Sequence, residues 1–180
     1  KWLGIGTIGG EVRYWNLKEQ FYTVGPAHKN AVFTISFSPD DQFALSSGAD
    51  STARLAQLVD GGQKYVLPHG DWVEDSAFSP DGKWFVTASD DNSVRMWETA
   101  SGREIRRMEH ADFAQAVAVS PDGQWIASTG KDETVRVWEV ATGAQVMEIP
   151  LPARGWVVDF SADGRTLISG DNEGNVYRWD

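Results

Sequence analysis

The chain has 180 residues, of which 26 are acidic and 16 basic, so that its formal net charge is −10. An acidic chain lacks the basic face that phosphate neutralisation requires, so we expect no nucleic-acid partner and no anionic membrane partner. The absence of cysteine excludes disulfides and thiolate metal sites, and no apolar stretch is long enough for a membrane-spanning helix. Because the sequence also shows no signal or transit pattern, we expect a cytoplasmic protein.

The sequence is built from a repeat with a period of 41 residues. The turn sequence Ser-Pro-Asp at 38–40 returns at 79–81 and 120–122, and as Ser-Ala-Asp at 161–163. A column of aromatic residues keeps the same step, and only its second member differs: Trp15, Ala56, Trp97, Trp138 and Trp179. A fixed period of roughly 20–50 residues marks repeat architectures. We therefore expect consecutive units of one design without insertions.

Each unit predicts four short strands. Residues 94–97 alternate with period two, which places the valine and the Arg/Trp pair on opposite faces of a strand. Pro-Asp-Gly at 121–123 predicts a tight turn between an innermost strand rich in small residues, 114–119, and the strand that begins at 125. The more charged run 104–108 is typical of an outer edge strand. No segment has a helical period, so the sequence predicts an all-β chain.

These units resemble the WD-repeat β-propeller family in its bacterial tandem form, whose repeat of about 40–45 residues carries four strands with His and Trp marks. The resemblance implies four-stranded antiparallel blades in an incomplete or partial propeller. The first unit lacks an innermost strand and the last an outer strand, so we expect about 18 strands in about four and a half blades. The predicted divisions are a partial blade (1–24), blade 1 (25–67), blade 2 (68–108), blade 3 (109–149) and a partial blade 4 (150–180).

The resemblance also implies a hydrogen-bond network within each blade, in which an Asp accepts from a His, a hydroxyl bridges, and an indole N–H closes the chain. A buried network stabilises the fold only when every member is satisfied. Ala56 replaces Trp in blade 1 and Leu151 replaces His in blade 4, so we expect these two blades to be less firmly held. The expected members are His69, Thr87, Asp91 and Trp97 in blade 2, His110, Ser128, Asp132 and Trp138 in blade 3, and His28, Ser46 and Asp50 in blade 1.

The same hydroxyl, His and Asp residues suggest a hydrolase as an alternative. A catalytic triad is needed only once, however, whereas this set recurs in every unit, and no Gly-x-Ser-x-Gly elbow is present to expose a nucleophile. We therefore predict no catalytic residue, no metal site and no cofactor. A hydrolase with its site in the central channel remains as a remote alternative.

Three columns vary between units, and the resemblance implies that they lie around the central opening, where propellers contact partners. The first precedes the innermost strand, the second follows two residues later, and the third precedes the acidic turn position. Aromatic and arginine side chains are typical interface anchors. For Phe33 and Trp156, and less so for Trp72 and Phe113, burial in the core is the alternative. The predicted partner-binding residues are Trp72, Phe113 and Arg154, then Phe33, Glu74, Gln115 and Trp156, and finally Asp90 and Lys131.

We therefore expect a non-catalytic scaffold that binds a protein or peptide through the propeller rim. The alternative, which rests on the resemblance alone, is a sensor or assembly region of a larger bacterial signalling protein with a kinase, nucleotide-binding switch or protease-like effector. Open blade edges also predict self-association or pairing with a partner.

Overall fold

The computed structural model describes residues 1–180 and is built entirely of β-strands. Its eighteen strands confirm the all-β prediction and the number of strands expected from the repeat. No helix in it has the length and apolar character that crossing a bilayer requires. The strands, in chain order, are β1 (Trp2–Gly6), β2 (Val12–Asn16), β3 (Phe21–Val24), β4 (Val32–Phe37), β5 (Phe43–Gly48), β6 (Thr52–Gln57), β7 (Gln63–Pro68), β8 (Val73–Phe78), β9 (Trp84–Ser89), β10 (Ser93–Glu98), β11 (Glu104–Glu109), β12 (Ala114–Val119), β13 (Trp125–Gly130), β14 (Thr134–Glu139), β15 (Gln145–Pro150), β16 (Gly155–Phe160), β17 (Leu167–Asp171) and β18 (Val176–Trp179).

The strands form five antiparallel sheets in which each strand pairs with its neighbours in sequence. Three sheets have four strands, β4–β7, β8–β11 and β12–β15, while the terminal sheets β1–β3 and β16–β18 have three. The innermost strands β4, β8, β12 and β16 pack side by side, and β1 packs against β4. No comparable packing joins β16 to β1, so the sheets form an open arc, as expected for a partial propeller.

The Ser-Pro-Asp-Gly sequences form the turns at the far end of the innermost strands. In blade 2 the Ser79 hydroxyl donates to a carboxylate oxygen of Asp81 (2.8 Å) and accepts from the Trp84 N–H (3.2 Å). Gly82 has φ of 68°, a left-handed conformation that glycine adopts without strain. The same bonds recur in the other units, and the local sequence therefore fixes the turn in each blade.

The hydrophobic core lies between successive sheets. Between blades 2 and 3, Val86 and Met96 from one sheet pack with Ile126 and Trp138 from the next. The alternation of each strand thus provides every inner sheet with two apolar faces, one for each neighbour.

The two terminal sheets each leave one apolar face uncovered. Leu3 is 51% exposed, whereas Phe85, which occupies the same repeat position, is fully buried at 0%. At the other end Val176 is 76% exposed, whereas its counterpart Val94 is also buried at 0%. These faces therefore have the composition of an interface between blades but no blade packed against them.

Candidate binding rim

Two of the variable columns lie next to each other because a main-chain hydrogen bond joins them in every unit. In blade 2 the N–H of Asp90, in the turn after β9, donates to the carbonyl of Trp72, just before β8 (2.9 Å). The equivalent bonds run from Ala49 to Ala31 (2.8 Å), from Lys131 to Phe113 (2.9 Å) and from Asn172 to Arg154 (3.0 Å). The main chain therefore places both columns on one edge of the arc, opposite the Ser-Pro-Asp turns.

The remaining variable column, which lies two residues after the first, coincides with a bulge in each innermost strand. The pairing register shifts between residues 32 and 34, 73 and 75, 114 and 116, and 155 and 157. A bulge leaves one residue outside the ladder and redirects its side chain. The redirected residues are Phe33, Glu74, Gln115 and Trp156. All four line one cavity of about 350 Å³. We call the three columns together the rim.

Most of the aromatic residues predicted for the rim are exposed. Phe33 is 38% exposed, Trp72 46% and Trp156 59%, so core burial does not describe them. The rings of Phe33 and Trp72 lie 5.7 Å apart in a tilted arrangement. Apolar surface of this kind is presented to solvent next to the opening, where a partner can cover it.

Gln115 is an exception among the predicted partner-binding residues, because the structure buries it. Its side-chain carbonyl accepts a hydrogen bond from the Arg154 guanidinium, which comes from the loop before β16. The same guanidinium lies over the Trp156 ring, 5.2 Å from its centroid. Gln115 therefore supports Arg154 from within the rim, and its contact with a partner stays a prediction.

Lys131 and Phe113 form a second pair on the rim. The Lys131 ammonium lies 4.4 Å from the centroid of the Phe113 ring and 3.6 Å from a carboxylate oxygen of Asp112. Both contacts hold the lysine on blade 3. Its positive charge is therefore already engaged within its own blade.

Two acidic residues of the rim carry charges that are poorly compensated. Burial raises the pKa of Glu74 to about 7, and the nearby Asp90 carboxylate adds to this effect while Arg154 opposes it. Burial also raises the pKa of Asp90 to about 6, together with the charge of Asp71. One carboxylate oxygen of Asp90 is buried with no hydrogen-bond partner. Asp75, beside Glu74, was not predicted, and burial raises its pKa to about 6.

Within blade 3 the structure brings together all four residues of the expected network. His110 Nδ1 donates to Asp132 (2.9 Å), while its Nε2 accepts from the Ser128 hydroxyl (2.7 Å). Ser128 in turn accepts from the Trp138 indole (2.8 Å). Burial alone would raise the pKa of Asp132, but hydrogen bonds, His110 foremost, outweigh it and lower the pKa to about 2. The network joins β13, β14 and the turn between them to the loop before β12.

Blade 2 departs from the expected pattern, because His69 and Asp91 are not joined. His69 Nε2 lies 2.8 Å from the Thr87 hydroxyl, which accepts from Trp97, but Nδ1 points to the Leu67 carbonyl (3.2 Å). The prediction of a contact between His69 and Asp91 is therefore wrong.

Asp91 nevertheless keeps the bond to the backbone of the preceding loop that Asp50 and Asp132 make in the other blades. It accepts from the Gly70 N–H (2.8 Å) and pairs with Arg95 and Ser93. A Cβ at Gly70 would lie 3.1 Å from the Cβ of Asp91. The glycine therefore permits a close approach that a larger residue would hinder. Burial lowers the pKa of His69 to about 4, and the charge of Arg95 contributes to this shift.

In blade 1 the truncated set is assembled without an indole. His28 Nδ1 lies 2.8 Å from Asp50, and Nε2 lies 2.9 Å from the Ser46 hydroxyl. Burial lowers the pKa of His28, although the contact with Asp50 opposes this. In blade 4 the Trp179 indole donates to Ser169 (3.1 Å).

The sequence reasoning missed one member of these networks, an arginine that pairs with the turn aspartate. Arg54, Arg95 and Arg136 hold equivalent positions and form salt bridges to Asp50, Asp91 and Asp132. The signal was available, because these arginines follow the same 41-residue step. The pairing itself depends on side-chain directions across a hairpin, which the period alone does not give.

Nothing in these networks is arranged for catalysis. Ser128 and Thr87 are fully buried and each already accepts an indole hydrogen bond, so neither hydroxyl faces a substrate. No group of three or more His, Asp or Glu side chains is arranged to hold a metal ion.

Five sheets of one repeated design, arranged in an arc with a shared rim, define a partial β-propeller. A family model described as "WD domain, G-beta repeat" matches residues 19–55, 61–98, 102–139 and 156–180. The chain therefore belongs to the WD40 repeat family, as the repeat pattern predicted. Domains of this family generally mediate protein–protein interaction and are typically non-catalytic. None of the curated proteins compared with the chain matches it.

Proposed function

We propose that the chain is a non-catalytic scaffold that binds a protein or peptide through the rim. The observation that carries this proposal is the main-chain bond between the two variable columns, which repeats in four units and holds different side chains at equivalent positions. The side chains so placed include the exposed Trp72 and the adjoining Phe33. Large aromatic residues of this kind supply most of the binding energy at many protein interfaces.

The experiment compares two truncations of exposed apolar residues on opposite edges of the arc. Trp72→Ala removes a rim residue, and Val59→Ala removes an exposed residue in the turn after β6, next to the Ser-Pro-Asp turns. Both variants should unfold cooperatively, like the wild type. Partners captured from a lysate by the wild-type chain should be retained by Val59→Ala and lost, by at least tenfold in affinity, by Trp72→Ala. Equal capture by both variants would contradict a rim interface.

We also propose that the uncovered faces of the two terminal sheets lead this 180-residue chain to associate with a second copy. Leu3 and Val176 are exposed although their counterparts in the inner blades are fully buried between sheets. Face-to-face packing of sheets would cover both faces, as it does inside the arc. Multi-angle light scattering tests this proposal: the wild type should be at least dimeric at micromolar concentration, and Leu3→Glu with Val176→Glu should be monomeric. A monomeric wild type would contradict it.

A further inference from the structure

The rim surrounds a cavity of about 350 Å³ between the innermost strands, and its walls combine aromatic rings with carboxylates. The residues that define its character are Phe33 from β4, Glu74 and Asp75 from β8, and Trp156 and Val157 from β16. Gln115 and Ala116 from β12 complete the lining, so the cavity is formed by four different blades and opens towards the surface that carries the proposed function.

The acidic side of the cavity has no cation paired with it. Glu74 forms no salt bridge, and its raised pKa shows that its negative charge is held in an unfavourable environment. Asp75 accepts hydrogen bonds only from main-chain N–H groups, those of Ser76 (2.8 Å) and Val117 (3.0 Å). Asp90, near Glu74, has a buried oxygen without a partner. These three carboxylates therefore leave an uncompensated negative charge at one wall.

The cations on the surrounding elements are held elsewhere. Arg154 donates to Gln115 and lies over Trp156, and it acts on Glu74 and Asp90 only through its field. Lys131 is held by Asp112 and the Phe113 ring. Neither side chain forms an ion pair with a carboxylate of the cavity. A cationic group of a ligand could therefore pair with these carboxylates.

The aromatic and apolar walls suit a planar cation with an apolar stem. Phe33, with Trp72 against it, and Trp156 present exposed ring surface, and a guanidinium stacks on such faces. Val157 offers apolar surface to the methylene groups of a long side chain. An arginine side chain combines all three features, because it is planar, permanently charged and able to bind a carboxylate through two N–H groups.

We propose that this cavity binds an arginine side chain of the partner, with the guanidinium beside Glu74 and between the aromatic walls. The inference rests on the proposed function and specifies the chemistry of its partner: a segment that presents an arginine to the rim. The acidic balance of the chain agrees with a basic partner, because opposite fields speed association.

The test uses the whole chain and three five-residue peptides, capped at both ends, that differ only in the central residue: arginine, lysine or citrulline. Citrulline keeps the shape of arginine without its charge. Binding is followed in two-dimensional NMR spectra through the indole N–H signals of Trp72 and Trp156. We expect the arginine peptide to shift both signals with saturation, and the citrulline peptide to bind at least tenfold more weakly, as does the lysine peptide.

A matched pair of variants locates the interaction. Glu74→Gln should weaken the arginine peptide at least tenfold, whereas Glu19→Gln, the same change at an exposed glutamate on the opposite edge, should leave it unchanged. No saturable shift with the arginine peptide, equal binding of citrulline, or an unaffected Glu74→Gln would each overturn the inference. If Trp72→Ala loses its protein partner while Glu74→Gln retains it at full affinity, the rim binds partners but not through an arginine. If neither change affects partner capture, the proposed function fails as well.

Discussion

Tyr14 and Ala56 lie in one buried cluster, in which the first sheet supplies the large residue and blade 1 the small one. Between blades 1 and 2 the sizes are reversed, because Leu55, at the repeat position of Tyr14, packs in one cluster with Trp97, at the position of Ala56. The missing tryptophan of blade 1 is therefore replaced in volume from the neighbouring sheet.

This exchange of side-chain sizes predicts that a tryptophan introduced at position 56 lowers the stability of the fold. Ala56→Trp should destabilise the chain by about 1–3 kcal/mol, because the site is already filled by Tyr14. Combining it with Tyr14→Leu should recover most of the loss, since the new indole can then take the place that Trp97 occupies in blade 2. Urea unfolding of the two single variants and the double variant measures the coupling. Additive effects would show that the two positions do not share a volume.

The Tyr14 hydroxyl offers a second prediction. It is buried without a hydrogen bond of normal geometry, and burial raises the pKa of this group strongly, although the nearby Ser46 hydroxyl opposes the shift. Removing an unsatisfied buried hydroxyl while keeping the ring should stabilise the fold by about 1 kcal/mol. We expect Tyr14→Phe to raise the urea midpoint, whereas Tyr177→Phe should lower it, because that hydroxyl donates to Asp171 (2.7 Å).

The difference between blades 2 and 3 predicts different couplings for the same pair of residue types. A double-mutant cycle on His110 and Asp132 should give an interaction energy of about 1 kcal/mol or more, because the two side chains are joined at 2.9 Å. The cycle on His69 and Asp91 should give an interaction energy near zero, since the histidine bonds to a carbonyl instead. Equal couplings in the two blades would contradict the difference in geometry.

The rim carboxylates predict an unusual dependence of stability on pH. The pKa of Glu74 is about 7 in the folded chain, above its ordinary value of 4.5, so between these values the folded state binds more protons than the unfolded state. The contribution of this group is therefore present at acidic pH and is lost as the pH rises through 7. Asp75 and Asp90, with pKa values of about 6, act in the same direction, and His69 acts oppositely.

Glu74→Gln removes one of these groups without changing the others directly. We expect the variant to lose less stability than the wild type between pH 5 and pH 7, and to be the more stable of the two at pH 7. Chemical unfolding of both chains at the two pH values measures the difference. The same pH dependence in both chains would show that Glu74 is not held in an unfavourable environment.

The fold was predictable because the residues that determine it recur every 41 positions along the sequence. The repeated turns and tryptophans determine the blade, its strand order and the positions of the variable columns, and the main chain then places those columns on one edge. Contacts between units were not predictable in this way. Gln115 is buried and bonded to Arg154 from the next unit, and His69 turns to the Leu67 carbonyl although Asp91 keeps its bond to the Gly70 N–H. Neither the contact with Arg154 nor that with Leu67 recurs in the other blades, so the 41-residue period does not predict them.

The main-chain bond beneath the rim also separates recognition from folding. The Asp90 N–H and the Trp72 carbonyl hold the loop in place whatever side chains these residues carry, and the same bond serves Lys131 and Phe113 one blade further on. Side chains at these positions can therefore be exchanged without altering the backbone that presents them. The backbone of the arc already presents four different pairs of side chains at these positions. A new binding specificity therefore requires new side chains there and no change of the main chain.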